Sequence, residues 1–158
     1  MKALSVKQPL AGLIIAGIKN VENRSWQTKY DGQLVIVSTK KPNDEKYWQP
    51  LRDKCKKLCV EFPEELCSIN ASALGVVDLS NTVEQTNSVL KTVRYRTGKV
   101  DRWTISDWWN MDAVGFILTK PRRLLHPIHV VGKLGLYDLP ADVAENIEKQ
   151  LQIFSPTL

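Results

Sequence analysis

No apolar run in this sequence approaches the roughly 20 residues that a membrane-spanning helix needs. The first residues, MKALSVKQ, lack the apolar core of a secretion signal. Cysteine is scarce, and its count of three is odd, which does not suit a framework of disulfides. We therefore expect a cytoplasmic protein with free thiols and no membrane partner.

Several familiar site motifs are also missing. The sequence contains no G-x-S-x-G, no P-loop and no dinucleotide fingerprint. Cys55 and Cys59 are one helical turn apart on an apolar stripe, and neither they nor Cys67 belong to paired CxxC motifs. His126 and His129 would face opposite sides of a regular strand. Buried thiols are therefore favoured over a metal site, and we expect no metal and no cofactor.

What is present suits one globular domain over residues 1–158. Hydrophobic residues make up 43% and charged residues 25% of the chain. The net charge of +5 is a mild basic bias. It is weaker than most dedicated DNA-binding domains show, but it permits an anionic partner.

The hydrophobic patterns predict an α+β chain that forms a small mixed β-barrel of about six strands with flanking helices. Helices are expected from Gln8-Pro9 to Gly17, from near residue 42, and from Leu139-Pro140. Strands are expected at residues 2–6, 21–26, 33–38, 73–79, 113–119, 121–125 and 128–131, and from residue 136. Because the helices do not alternate regularly with the strands, a doubly wound parallel sheet is not expected.

The segment GIKNVENRSW, residues 17–26, combines unlike side chains on one strand. If residues 21–26 are extended, Glu22, Arg24 and Trp26 share one face. Lys19 lies at the turn that leads into the strand. An anion, a cation and a flat aromatic surface suit the floor of a polar cleft better than a dry core.

Three roles remain open for this segment. Glu22 and Arg24 form a structural ion pair, or the group contacts a ligand, or it is catalytic. A protonated Lys19 beside Arg24 would bind a phosphate or an oxyanion. A desolvated Lys19 would act as base or nucleophile, although Glu22 would oppose its deprotonation. Trp26 on the polar face would stack on a base.

Residues 80–110 are polar and are expected to be irregular. Their cations are interleaved with aromatic residues, a pattern typical of nucleic-acid contacts. The alternative is that the tryptophans anchor a long loop to the barrel. The residues concerned are Lys91, Arg94, Tyr95, Arg96, Lys99, Arg102, Trp103, Trp108 and Trp109.

The pattern Gly17-x-Lys19-x-x-Glu22-x-Arg24, after a Gln-Pro helix, resembles the signature of the ASCH domain, a family of the PUA-like superfamily of small β-barrels. The flanking segments that match are residues 1–8, 30–32, 115–118, 132–136 and 139–140. Residues 40–66 and 80–110 look like family-variable insertions.

This resemblance implies a cleft next to the first helix, with Lys19, Glu22 and Arg24 near its mouth. PUA-like relatives bind RNA or modified nucleobases, some small ASCH proteins hydrolyse acetylated cytidine, and some have been assigned ribonuclease activity. In the amidohydrolase group a Thr occupies the position of Glu22, so this chain departs from that pattern.

We therefore predict a module that binds RNA or a modified nucleoside or nucleotide. The alternative is a hydrolase of a modified nucleoside or of RNA, with Lys19 as base or nucleophile and Glu22 as its partner. A protein-interaction module is a third hypothesis. The predicted contact residues are Lys19, Glu22, Arg24, Trp26, Arg94, Arg96, Arg102 and Trp103.

Overall fold

The structure is a computed structural model that describes residues 1–102 and 106–153. Trp103, one of the predicted contact residues, lies outside the described residues. The described part contains eight strands in one mixed sheet and four α-helices. The strands are β1 (Lys2–Val6), β2 (Val21–Arg24), β3 (Gly32–Ser38), β4 (Ser72–Asn87), β5 (Thr92–Tyr95), β6 (Val100–Arg102), β7 (Val114–His129) and β8 (Leu136–Asp138). The helices are α1 (Leu10–Ile15), α2 (Trp48–Lys57), α3 (Glu64–Cys67) and α4 (Ala141–Ile153), and a 3₁₀ turn (Glu45–Tyr47) precedes α2.

The main path of the sheet follows the order β2-β7-β4-β3-β1-β8, and β5 and β6 extend it from β4. The pairing of β1 with β3 is parallel, and the other pairings are antiparallel. The register of β4 against β7 shifts three times. Such bulges bend and twist a strand, and the sheet curls into a half-barrel. The predicted α+β class with a mixed, barrel-like sheet is confirmed.

The central strand β3 has both faces buried, which explains its unbroken apolar run. Leu34 and Ile36 face one core cluster, together with α1 and Phe116. Val35 and Val37 face a second cluster, which includes Ile147 of α4. Helix α1 packs against β1, β3, β4 and β7, and Gly17 follows it at φ +76°, as a C′ glycine does.

Two expectations about strands need correction. Residues 80–110 were expected to be irregular, but β4 continues to Asn87 and β5 and β6 pair beside it. The two short strands expected on either side of His126-Pro127 belong to one strand, β7. Its pairing with β4 jumps from Ile128 to Arg123, so Pro127 lies in a bulge, where a missing N–H is tolerated.

Gln8 is a fully buried polar residue that joins α1 to α3. Its Nε2 donates to the carbonyl oxygens of Leu66 at 2.9 Å and Ile69 at 2.7 Å, and its Oε1 accepts from the N–H of Gly12 at 2.9 Å. Because all three partners are backbone groups, the amide fixes the start of α1 relative to the end of α3.

The three cysteines differ in exposure, which corrects the expectation that all are buried. Cys55 and Cys67 are buried, whereas Cys59 is exposed. Burial raises the pKa of Cys55, and it raises the pKa of Cys67 to about 12. Thiol reactivity requires the thiolate, so these two thiols are protected both sterically and chemically.

We expect one fast-reacting thiol in the native protein, Cys59, and three after unfolding. The measurement is titration with an aromatic disulfide reagent at neutral pH, followed by absorbance. Cys59→Ser should remove the fast phase and leave the slow ones unchanged. A fast phase that persists in this variant would contradict the assignment.

Candidate functional site

A cavity of about 750 Å³ opens where several strand ends meet. Its walls come from the end of β1, from β2, from the segment after β3, from the end of β7 and from residues 131–135 between β7 and β8. Leu10, the first residue of α1, also lines it. We call this space the main cavity. It lies next to the first helix, where the resemblance places a cleft.

Cations outnumber carboxylates among the charged residues that line the main cavity. Lys7, Lys40 and Lys133 line it with exposed side chains and make no ion pair within the described residues. Arg24 is the fourth cation, and Glu22 is the one carboxylate among the described lining residues. The lining is therefore suited to an anion.

Glu22 is buried and bridges two cations. Its Oε2 lies 2.8 Å from Nζ of Lys19, and its Oε1 lies 3.1 Å from Nη2 of Arg24. The amino group of Lys19 also donates to the backbone oxygen of Val21. The side chains of Lys19 and Glu22 are only 3% and 8% exposed. Both carboxylate oxygens are thus engaged, and Glu22 does not cancel the charge of the surrounding lysines.

Arg24 connects this ion-pair group to β1. Its Nη2 donates to the backbone oxygen of Ser5 at 2.7 Å, and its buried Nε has no hydrogen-bond partner. The Ser5 hydroxyl lies 3.0 Å from the Tyr137 hydroxyl and accepts from the backbone N–H of Lys133 at 3.1 Å. The wall of the main cavity is therefore fixed by contacts among β1, β2, β8 and the loop before β8.

The structure separates Lys19 and the three residues predicted to share one face of the strand. Glu22 and Arg24 line the main cavity. Lys19 is buried behind Glu22 and is not among the lining residues. Strand β2 ends at Arg24, and Trp26 packs edge-on against Phe116 with ring centroids 5.0 Å apart. Trp26 thus serves the core and does not line the cavity.

Residues 80–110 contribute a second, smaller concavity of about 380 Å³, which we call the side groove. Arg94 and Arg96 both line it, and Arg102 is exposed on β6. Arg96 is already engaged, because it donates to the backbone oxygen of Tyr30 and lies 3.2 Å from Asp31. Of these two arginines, Arg94 is the one available to a ligand.

Trp108 and Trp109 are buried and fix the segment before β7, which agrees with the anchoring alternative. The backbone oxygen of Trp108 accepts from the Asn23 amide at 2.9 Å. Nε1 of Trp109 donates to the oxygen of Ala113 at 3.1 Å. Nζ of Lys54 lies 4.0 Å from the Trp108 ring centroid, and desolvation there lowers the pKa of Lys54.

Three lining residues were not predicted from the sequence: Lys7, Lys40 and Lys133. They are far apart in the chain, and no local motif connects them. The parallel pairing of β1 with β3 places the segments after both strands, and with them Lys7 and Lys40, at the same end of the sheet. Only the topology brings these residues together.

No group of three or more His, Cys, Asp and Glu side chains in residues 1–102 and 106–153 could hold a metal ion. No helix in this part of the chain is both long and apolar enough to cross a membrane.

A family model and two curated relatives match parts of this chain. A family model described as ASCH domain matches residues 4–119. Activating signal cointegrator 1 from Homo sapiens is 42% identical over 89 residues, which cover 52% of this chain and 14% of that protein. The Mus musculus protein of the same name is 39% identical over 85 residues, with the same coverage. The chain thus spans about one seventh of the length of these relatives.

Two solved structures resemble the fold. The crystal structure of ASCH from Zymomonas mobilis has a TM-score of 0.50, and the Y47F mutant of that protein has one of 0.52. Both are 15% identical to this chain and match 94% of it, covering 93% and 96% of their own chains respectively. The likeness confirms the predicted ASCH-type, PUA-like fold, and at this identity it concerns the fold alone.

Proposed function

This chain belongs to the ASCH domain family, and we propose that it binds RNA or a modified nucleoside or nucleotide in the main cavity. The observation that carries the proposal is the charge of the cavity wall. Four cationic side chains line it, and the one carboxylate among the described lining residues is already paired. PUA-like relatives bind RNA or modified nucleobases, as noted from the sequence, and this is a further reason to expect such a ligand.

The unpaired lysines are the first support. They are Lys7, Lys40 and Lys133, which come from three separate segments of the chain. None of them forms an ion pair with a carboxylate within the described residues. Phosphate groups attract such cations and release bound counterions, a favourable term in nucleic-acid binding. The charge is therefore placed where an entering phosphate would meet it.

The size and mixed lining of the main cavity are the second support. Its volume lies within the range typical of small-molecule sites, about 300–1,000 Å³. Val6 and Leu10 supply apolar wall, on which the face of a base would rest. Arg24, whose Nη2 already contacts Ser5 and Glu22, adds a fixed positive charge that attracts a phosphate. This combination fits a nucleotide unit better than a purely apolar ligand.

The hydrolase hypothesis has less support. A lysine that acts as base or nucleophile must present a free amine to its substrate. The amino group of Lys19 instead donates to Glu22 and to the Val21 carbonyl, and the residue is 3% exposed. We therefore propose that Lys19 positions Glu22, which in turn orients Arg24.

We expect affinity for single-stranded RNA that falls steeply with salt. With about four phosphate contacts and a slope of about −0.7 per contact, binding should weaken about 50-fold between about 50 mM and 200 mM salt. Fluorescence anisotropy of labelled RNA measures this. Lys40→Ala should weaken binding severalfold, whereas Lys41→Ala, its exposed neighbour outside the cavity lining, should change it little.

Two results would contradict the proposal. One is the absence of RNA binding at low salt in a folded protein, and the other is an equal response to both lysine variants. Turnover of acetylated cytidine or cleavage of RNA, lost in Lys19→Met with the fold retained, would favour the hydrolase instead.

A further inference from the structure

The side groove has a defined structure, because strand β5 and a hydrogen-bonded turn form part of it. Lys29 lines it together with Arg94 and Tyr95 of β5. The turn after β5 closes through hydrogen bonds from the N–H of Tyr95 to Lys99 at 2.9 Å and from the N–H of Gly98 to Tyr95 at 2.8 Å. Gly98 has φ +87° and no atoms within 4 Å of the place where a Cβ would lie, so the groove is open at this end.

The charge of the side groove is positive and partly uncompensated. Neither Lys29 nor Arg94 makes an ion pair within the described residues, whereas Asp31 balances Arg96. Glu84, opposite Arg94 in the register, is the carboxylate among the described lining residues. Two free cations against one carboxylate leave a net charge that suits about one phosphate.

Tyr95 gives the groove a firm aromatic side. Its ring is half-buried and packs on the core cluster that contains Val83, Val93 and Trp109. A ring held in this way loses little conformational freedom when a base stacks on it, and stacking is sequence-tolerant because every base has a π-face. Lys29 lines the same groove as this ring, and cations combined with aromatic surfaces are found in proteins that bind single strands.

The side groove is close to the main cavity along the chain. Arg24 lines the cavity and Gln27 lines the groove. Three residues of extended chain span at most about 11 Å, so the two Cα atoms are no farther apart than this. A single strand of a few nucleotides is long enough to occupy both places.

From these observations we infer that the side groove is a second subsite, which binds the phosphate and base of an RNA strand that leaves the main cavity. This inference rests on the proposed function. It deepens that function by assigning an oligonucleotide, and not a free nucleotide, as the ligand. Lys29, Arg94 and Tyr95 are its contact residues.

The test compares RNA of two lengths. A labelled single-stranded RNA of about 12 nucleotides, within the site sizes known for such binders, and a dinucleotide are titrated into the full chain. We expect Lys29→Ala/Arg94→Ala to weaken binding of the longer RNA about tenfold and to flatten its salt dependence by about one unit of slope. Affinity for the dinucleotide should stay the same. Lys56→Ala/Lys57→Ala is the matched control, since it removes two exposed cations that make no ion pair within the described residues.

The outcomes separate the inference from the proposed function. If the wild-type protein binds neither RNA, the proposed function fails and the second subsite with it. If the wild-type protein binds both lengths equally well, or if the groove and control variants behave alike, only the second subsite is wrong. Tyr95→Leu gives an independent check, because loss of stacking should weaken the longer RNA without altering the salt slope.

Discussion

Glu22→Gln is expected to destabilise the protein by about 3–5 kcal/mol, the cost of removing one partner from a buried ion pair. The glutamine fills the same volume, so packing is kept and only the charge is lost. Lys19, at 3% exposure, is then left without a carboxylate partner, and Arg24 loses its contact at 3.1 Å. Urea unfolding followed by tryptophan fluorescence measures the change.

An exposed ion pair provides the control for Glu22→Gln. Lys2 and Asp138 lie 2.9 Å apart, with side chains 37% and 69% exposed. Asp138→Asn makes a comparable acid-to-amide change and should cost less than about 1 kcal/mol, because water screens exposed pairs. Equal effects at the two positions would show that burial does not set the energy of the Glu22 group.

A double variant identifies the source of the loss. Lys19→Met/Glu22→Gln removes the stranded ammonium along with the carboxylate, so it should recover a large part of the stability that Glu22→Gln loses. If the double variant is less stable than Glu22→Gln alone, Lys19 contributes through something other than its charge. The ion-pair account of the motif would then be wrong.

The positions of the motif residues could be predicted from the sequence only where they depend on local strand geometry. Strand alternation predicts that Glu22 and Arg24 share a face, and both line the main cavity. The alternation does not extend to Trp26, because β2 ends two residues earlier and the ring packs against Phe116. The length of a strand depends on its partner, here β7, which lies far along the chain.

The strands after residue 80 were missed for a different physical reason. Val83 and Val93 are buried, while Glu84 and Arg94 on the opposite face meet solvent. A sheet with one solvated face needs few apolar residues, so the polar composition concealed the alternation. The fold class was predictable because it depends on many elements at once, whereas the cavity lysines depend on pairings between distant strands.

Gln8→Glu is the second change with a large expected effect, and its effect should depend on pH. The carboxylate oxygen that replaces Nε2 would face the carbonyls of Leu66 and Ile69 at the present distances of 2.9 and 2.7 Å. A buried charge among acceptors is unfavourable, and we expect a loss of about 3–5 kcal/mol at pH 7. Gln8→Leu, which removes the bonds without adding a charge, should lose about 2 kcal/mol.

The sign of the pH dependence follows from protonation. In the folded state the introduced carboxyl is favoured as the neutral acid, which donates to one carbonyl, so its pKa lies above the value of about 4.3 in the unfolded chain. The folded state of the variant then binds more protons, and its stability falls as pH rises from about 4 towards the raised pKa. The stability of Gln8→Glu should therefore be closest to that of the wild type near pH 4, and Gln8→Leu should show no such trend.

Urea midpoints at several pH values measure this dependence. A pH-independent difference in stability between Gln8→Glu and the wild type would mean that the side chain has left its buried position. The loss in Gln8→Leu would then be the measure of what the wild-type amide contributes.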